Sequence, residues 1–431
     1  MDRYTRMLSS LKSASAMETF CRLYGRREGE LARQLTRYTE LVKRHEDIFH
    51  ANDKPLYLIS APGRTEILGN HTDHNNGRVM AAAVNLDTLA AVTPRDDMLV
   101  HIQSEGFPTL DLDLSDLEIR EDEKGTSAAL VRGVARRMKD LGYLIGGFDA
   151  DITSNVLAGS GLSSSAAYEV LICAILDKLF NGTVIDAPTR AKIGQYAENV
   201  YFGKPSGLMD QMASSVGGLV YIDFKNLPDD AEIRPLSLDL AKYGYDMVIV
   251  NTRGSHDDLT DEYASIRKEM NDVAAFFGEK VLRRVRSDEF MLHIGEIRRQ
   301  CSDRACLRAA HFFNENERVR QMEKAVRNED IPAFLSFVNR SGESSRTLLQ
   351  NIHVPGTSQP ISLALMMAQN TLQGEGAVRV HGGGFAGTTL NIVPTGKLDS
   401  FVRAMESIFG SGCCHVLSIR PEGAVCVFEE A

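Results

Sequence analysis

Apolar residues recur at spacings of three and four through the first fifty positions: Met17, Phe20, Leu23 and Tyr24, then Leu31, Leu35, Tyr38, Leu41 and Val42. That period predicts amphipathic helix over residues 16–50, a helical lead-in to whatever follows. The pattern then changes. Residues 56–60 form a short apolar strand that Ala61-Pro62-Gly63 is expected to stop, and residues 79–92 and 98–102 predict further strands. Residues 127–141 read as helix through Leu130, Val131, Val134, Met138 and Leu141, and residues 148–152 as strand. Residues 168–180 are largely apolar (Val170, Leu171, Ile172, Cys173, Ile175, Leu176, Leu179), which predicts a buried helix. Residues 189–202 place Ile193, Tyr196, Ala197 and Val200 on one helical face. Strands are expected at 217–224 and 245–251, with a turn at Pro228-Asp229-Asp230 and a hinge within 225–245. From Asp261 to about Phe334 the chain is largely helical; residues 378–394 read as strand and glycine turn, and 415–428 as β-like. Helices and strands mix without regular βαβ alternation and without an internal repeat. This predicts an α+β fold in two domains, divided at 1–235 and 236–431, with 1–54 as the lead-in.

Against that background, four segments carry candidate chemistry. Residues 159–167, Gly-Ser-Gly-Leu-Ser-Ser-Ser-Ala-Ala, run straight into the apolar helix. A helix start offers unpaired N–H groups and the positive end of a dipole, so the loop is a candidate phosphate cradle, and its serines add hydroxyl donors and a cation ligand. A tight turn with close helix packing is the plainer alternative. The segment is neither a Walker A loop, since no Gly-Lys-Ser/Thr follows, nor a dinucleotide fingerprint, since the glycine spacing differs.

Residues 61–77 interleave glycines with Arg64, Glu66, Asn70, His71, Asp73, His74 and Asn75, a pattern that suits recognition of a polyhydroxyl ligand on a polar loop. A metal site on His71, Asp73 and His74 is disfavoured, because the spacing alone supplies no geometry. Residues 203–211, Gly-Lys-Pro-Ser-Gly-Leu-Met-Asp-Gln, end on Asp210, which is either a helix N-cap or a general base at the mouth of a loop. Residues 379–388 contain Gly382-Gly383-Gly384, where the backbone must approach a ligand or another segment closely, or turn sharply between domains.

In order and spacing these segments resemble the galactokinase family of the GHMP kinase superfamily. Residues 62–75 are similar to its Pro-Gly-Arg-Val-Asn-Leu-Ile-Gly-Glu-His-Thr-Asp-Tyr-Asn signature, 159–166 to its Gly-x-Gly-Leu-Ser-Ser-Ser-Ala loop, 206–211 to Cys-Gly-Ile-Met-Asp-Gln, and 382–387 to Gly-Gly-Gly-Phe-Gly-Gly with Ala386 for one Gly. The resemblance implies a ribosomal-S5-like first domain, a ferredoxin-like second domain and a cleft between them. There, ATP with Mg²⁺ would phosphorylate the anomeric hydroxyl of galactose. By the same resemblance Asp210 is the base and Arg64 its electrostatic partner. Gly159, Ser160, Gly161, Leu162, Ser163, Ser164 and Ser165 bind ATP. Ser165 and Glu198 hold Mg²⁺, with Ser164 one position away as the alternative. Asn70, His71, Asp73, Gly207 and Tyr263 meet the sugar.

One departure bears on specificity. The family's Asn and Glu are exchanged here, as Glu66 and Asn70. A neutral amide in place of the acid would admit a carboxylated sugar such as galacturonate. If the two positions share a helical face, however, Glu66 supplies the missing acid and galactose recognition survives. A sugar-sensing protein of the same fold is a further reading, against which Arg64, Asp210 and the intact serine run weigh.

Composition narrows the rest. The chain of 431 residues is 43% hydrophobic and 25% charged, as in ordinary globular proteins, and its net charge of −10 argues against a general nucleic-acid binder. Seven cysteines, an odd number with no C-x-x-C pair, suit a reducing cytoplasm. No signal-peptide core or bilayer-length apolar run is evident. The expected partner is a galactose-like sugar, with no nucleic acid and no membrane; the oligomeric state is open, a monomer being favoured.

Overall fold

The computed structural model describes residues 2–430 apart from Asn52, 157–160, 227–230, 255–258, Pro355 and Ala386. Gly159 and Ser160 of the candidate loop, the 228–230 turn and Ala386 therefore lie outside the described residues.

The chain opens with α1 (Arg3–Ser10), α2 (Ala14–Tyr24) and α3 (Glu30–Phe49). Asp2 and Ser13 cap the first two through the N–H groups of Thr5 and Ala16. The single expected helix is thus broken at Gly25 and Gly29, both of positive φ, and α1 is additional to it. The predicted apolar stripe does face inward: Phe20, Leu23, Tyr24, Tyr38, Leu41 and Val42 pack with Leu56, Leu58, Leu89 and Ala91.

There follow β1 (Leu56–Leu68), β2 (Arg78–Pro94), β3 (Leu99–Ser104), β4 (Leu110–Asp113), α4 (Ser127–Asp140), β5 (Phe148–Ser154), α5 (Ser164–Phe180) and α6 (Ala187–Tyr196). A π-helical turn (Ala197–Phe202) leads to α7 (Met209–Val216), β6 (Leu219–Asp223) and β7 (Glu232–Leu236). The remainder is β8 (Tyr245–Asn251), α8 (Thr260–Phe276), α9 (Ser287–Gln300), α10 (Asp303–Arg327), α11 (Ile331–Ser344) with a π-helical extension (Ser345–Leu349), α12 (Pro360–Leu372), β9 (Ala377–His381), β10 (Thr388–Pro394), α13 (Leu398–Phe409), β11 (Cys414–Leu417) and β12 (Val425–Glu430).

Two sheets organise these elements. The first runs β12-β1-β2-β5-β3-β4, with β6 and β7 continuing from the other half of β2; the second is β11-β8-β10-β9. Only β3 and β5 pair in parallel among the described strands. Because β12 pairs with β1, the last strand of the chain completes the first sheet. α4, α5 and α6 cover one face of that sheet, and α1 to α3 the other. A shared core joins the sheets: Ile67, Leu68, Val84 and Leu219 from the first pack with Met247, Ile249 and Leu390 from the second and with Val319 and Met322 of α10.

One expectation is corrected here. Ala61-Pro62-Gly63 does not stop β1, which continues to Leu68. Pro62 pairs with Asp87 and Arg64 with Ala83, with a register shift between them that absorbs the proline's missing N–H. Arg64 and Glu66 therefore stand on a strand, not on an exposed loop. All seven cysteines are free, Cys173 being buried in α5. No helix among the described residues is long and apolar enough to cross a membrane.

Candidate active site

β1, α5 and α7 meet at one point, and their meeting brings Arg64 and Asp210 together. Arg64 presents a two-pronged fork to the carboxylate, Nε to Oδ1 at 2.7 Å and Nη2 to Oδ2 at 2.5 Å. Its third nitrogen, Nη1, donates to the carbonyl of Gly161. Asp210 is the second residue of α7, behind Leu208 at the cap, so the N-cap reading does not hold. Burial pushes the Asp210 carboxyl up, but the Arg64 charge and its hydrogen bonds, with that of Ser163, hold it below the usual carboxylate value. It is ionised at neutral pH.

The opening of α5 carries the second feature. Ser163, at the N-cap, is left-handed (φ +56°) and does not cap the helix; its hydroxyl donates to Asp210 instead. The first-turn N–H groups are thus left without a side-chain cap, the arrangement that binds anions. The described candidates differ in what they can do: Leu162 is buried in the core, Gly161 lies against His381 and Thr388, and Ser164 and Ser165 begin the helix.

Ser165 meets Glu198 as expected: its hydroxyl donates to Glu198 Oε1 at 3.0 Å. Glu198 belongs to the π-helical turn and is 2% exposed. A hydroxyl and a carboxylate are hard oxygen donors suited to Mg²⁺. The spot also accepts positive charge, since the Lys204 ammonium lies 3.1 Å from the same oxygen. Two further residues support it: Gln211, which closes the 206–211 motif without an expected role, and Glu169, which lies in no motif. Gln211 Nε2 donates to Glu198 Oε2 at 2.8 Å and to Glu169 Oε2 at 2.9 Å, with Glu169 and Gln211 both fully buried. Burial, reinforced by the neighbouring Glu198 charge, pushes the Glu169 carboxyl well above the usual range. The available signal for Glu169 was an acid inside an apolar run, four residues after Ser165.

The sugar candidates gather on the other side of Asp210. Gly207 abuts Asp73 so closely that a Cβ there would overlap Asp73 Oδ2. Burial raises the Asp73 carboxyl, opposed by the nearby His71. The glycine run supplies a row of acceptors: Asn70 Nδ2 donates to Gly382 O at 2.7 Å, His71 Nε2 to Gly383 O at 2.9 Å and Tyr263 OH to Gly384 O at 2.8 Å. The glycines are required by packing, because a Cβ on Gly383 would strike the Tyr263 ring and one on Gly384 would strike Asn351.

Asn70 departs from its expected role. Only 1% exposed, its Nδ2 donates both to Gly382 O and to Glu66 Oε1 (3.1 Å), and its Oδ1 accepts from Asn351 Nδ2 at 2.8 Å. It is a clamp between the two sheets, with its polar groups engaged. Glu66 and Asn70 do touch, but through a turn at Gly69 (φ +103°) after β1 rather than along a helical face. The Glu66 charge is met by Arg379 of β9, whose Nη2 lies 2.7 Å from Oε1 in a fully buried guanidinium that also donates to the carbonyls of Ile67 and Val380.

A cradle at an uncapped helix start, a half-buried arginine–aspartate fork beside it and His381 of the second sheet against Gly161 are the arrangement expected of a GHMP-type kinase, and comparison with known proteins agrees. Residues 129–218 match the GHMP kinases N terminal domain and residues 43–94 the galactokinase galactose-binding signature. The chain is 34% identical over 349 residues to the galactokinase of Glaesserella parasuis serovar 5 (strain SH0165), covering 79% of this chain and 86% of that one. It is 33% identical over 368 residues to the galactokinase of Haemophilus influenzae (strain ATCC 51907 / DSM 11121 / KW20 / Rd), covering 83% and 91%. The crystal structure of Lactococcus lactis galactokinase complexed with galactose matches with a TM-score of 0.77 at 25% identity, over 90% of this chain and 99% of that one. A mevalonate kinase shares the fold, with a TM-score of 0.60 at 14% identity over 84% of this chain and 98% of that one. This chain belongs to the galactokinase family.

Proposed function

We propose that the protein transfers the γ-phosphoryl group of ATP to the anomeric hydroxyl of galactose, releasing galactose 1-phosphate and ADP. The observation that carries this reading is the Arg64–Asp210 fork at the uncapped start of α5, which sets a half-buried, ionised acceptor beside a phosphate cradle. Asp73, His71 and the backbone at Gly207 orient the sugar so that its O1–H faces Asp210. As the new O–P bond forms and the bond to the ADP oxygen breaks, the hydroxyl proton passes to Asp210. Arg64 keeps Asp210 ionised, and this weakens it as a base. That suits a loose phosphoryl-transfer transition state, in which the proton leaves late and positioning and charge supply most of the acceleration. The Arg64 charge also offsets negative charge on the transferring group. Ser165 and Glu198 would hold Mg²⁺, which when bound supplies positive charge to the phosphate chain.

The test is ADP release over a panel of galactose, galacturonate, N-acetylgalactosamine and arabinose. Turnover on galactose is expected. Turnover on galacturonate alone would transfer the reading to a carboxylated sugar. Sugar and ATP binding without turnover would make the protein a sensor.

A further inference from the structure

Lys204 lies just ahead of the 206–211 signature and takes no part in the chemistry derived above. Its backbone is fixed. The Lys204 N–H donates to the Glu198 carbonyl at 3.1 Å, left-handed Gly203 (φ +84°) closes the π-helical turn before it, and Pro205 follows. Its side chain reaches through solvent: it is 61% exposed and is held only at its end, on Glu198 Oε1, the oxygen that also accepts from Ser165. The ammonium therefore hangs at the first turn of α5, where no side chain caps the N–H groups.

An exposed lysine on an exposed acid would be an ordinary surface pair of small worth. Here the acid is buried and gripped from its other side by Gln211, so its orientation does not depend on the lysine. The charge of Lys204 reaches further than this pair: it adds to the pull of Arg64 on Asp210 and opposes, without overcoming, the upward push of burial on Glu169. An exposed cation paired with a buried carboxylate that is held independently of it, at a helix end that favours anions, can serve two partners in turn. It compensates a buried carboxylate while the site is empty, and a polyanion once one arrives.

We propose that Lys204 is a phosphate-binding residue. It stands on Glu198 in the nucleotide-free enzyme and carries its ammonium to the phosphate chain of ATP when a divalent cation takes its place on Glu198. The exchange leaves Glu198 compensated at every stage and adds a positive charge to the cradle only when phosphate is present. The proposal rests on the ATP-dependent transfer read above.

Lys204→Met separates the two halves of the exchange. Without its competitor, Mn²⁺ added to nucleotide-free enzyme, followed by the electron paramagnetic resonance of the free ion, is expected to bind about threefold tighter, the size of a partly exposed ion pair. ADP added at saturating Mg²⁺, where the cation occupies Glu198 and frees the lysine, is expected to bind about tenfold more weakly, for loss of a charge-assisted bond to phosphate. Lys204→Arg, which keeps the charge, should restore ADP binding. Unchanged Mn²⁺ affinity or unchanged ADP affinity in Lys204→Met overturns the proposal. Failure of the unsubstituted enzyme to bind ADP at all would instead bring down the ATP reading on which it rests.

Discussion

Exchanging Glu66 and Asn70 tests whether the altered signature works as one unit. Asn70→Glu alone replaces an amide that donates to Gly382 O and Glu66 Oε1 with a group that has no hydrogen to give either. At a site 1% exposed, each acceptor left facing another acceptor costs about 1–3 kcal/mol, and a second carboxylate then shares Arg379 with Glu66. Glu66→Asn alone leaves the fully buried Arg379 guanidinium without its carboxylate, a change that costs about 3–5 kcal/mol when a buried pair loses one member. The double variant restores one acid and one amide beside one arginine. Each single variant is therefore expected to lose about 3 kcal/mol or more of stability, and the double to recover about 2 kcal/mol of the summed loss. Urea denaturation of the four proteins measures this, and kcat/KM for galactose measured alongside reports whether recognition follows stability. Losses additive to within about 0.5 kcal/mol would refute the coupling.

Asp210→Asn should lower kcat by about 10²–10⁴-fold while the sugar still binds, and a variant with undiminished turnover would remove Asp210 from the chemistry. Because Arg64 holds the Asp210 carboxyl below its ordinary value, kcat/KM should show no acidic limb from this residue above about pH 4; a limb near pH 6 that disappears in Asp210→Asn would contradict the geometry. Gly207→Ala pushes a methyl into Asp73 Oδ2 and is expected to raise KM for galactose at least about tenfold, through about 1.4 kcal/mol of lost sugar binding, with the urea midpoint little changed; an unaltered KM would detach Asp73 from the sugar. Burial pushes the His45 imidazole down to about 4, so its neutral form is favoured in the fold. The unfolded chain binds the extra proton between about pH 6.5 and 4, so this contribution is complete above pH 6.5 and is lost as pH falls, by about 3 kcal/mol over the full titration. His45→Gln should flatten stability over that window, and an unchanged slope would rule His45 out as its source.

Residues that act through local spacing were legible, and those that act through distant contacts were not. Arg64, Asp210 and Ser165 stood in short motifs whose residue types matched the chemistry, Glu198 followed only from the family resemblance, and the structure brings the four together as two pairs. Arg379 and Asn351 had no comparable signal, because their partners Glu66 and Asn70 lie roughly three hundred residues away in the chain and only the docking of the second sheet joins them. The same limit explains β1. Ala-Pro-Gly has the local chemistry of a stop, but β2 pairs along β1 on both sides of Pro62, and sheet pairing overrides the local preference. The glycine run was legible as a close approach; that it approaches Tyr263 and Asn351, and turns its carbonyls toward Asn70, His71 and Tyr263, was not.

The N-terminal helices, for which the sequence offered no role beyond a lead-in, take their place from the same sheet. Successive residues of β1 alternate between faces: Ile59 and Ala61 join the core under α4 and α5, while Leu56 and Leu58 join α1 to α3. Without those helices, one side of the strand that carries Arg64 would be an exposed apolar face. The attachment is also polar. Asp87, at the centre of β2 and opposite Pro62, receives Arg37 of α3 at 2.5 Å, Tyr24 of α2 at 2.6 Å and Arg420 from the segment before β12 at 3.0 Å. Both arginines are needed to compensate so buried an acid, and together they hold its carboxyl below the ordinary value despite that burial. The two ends of the chain are thus fastened to the back of β1 and β2 at the irregularity from which Arg64 departs. A strand loosened there would move the Arg64 fork relative to Asp210, whose own position is set by α7, so the lead-in belongs to the structure that positions the Arg64–Asp210 pair.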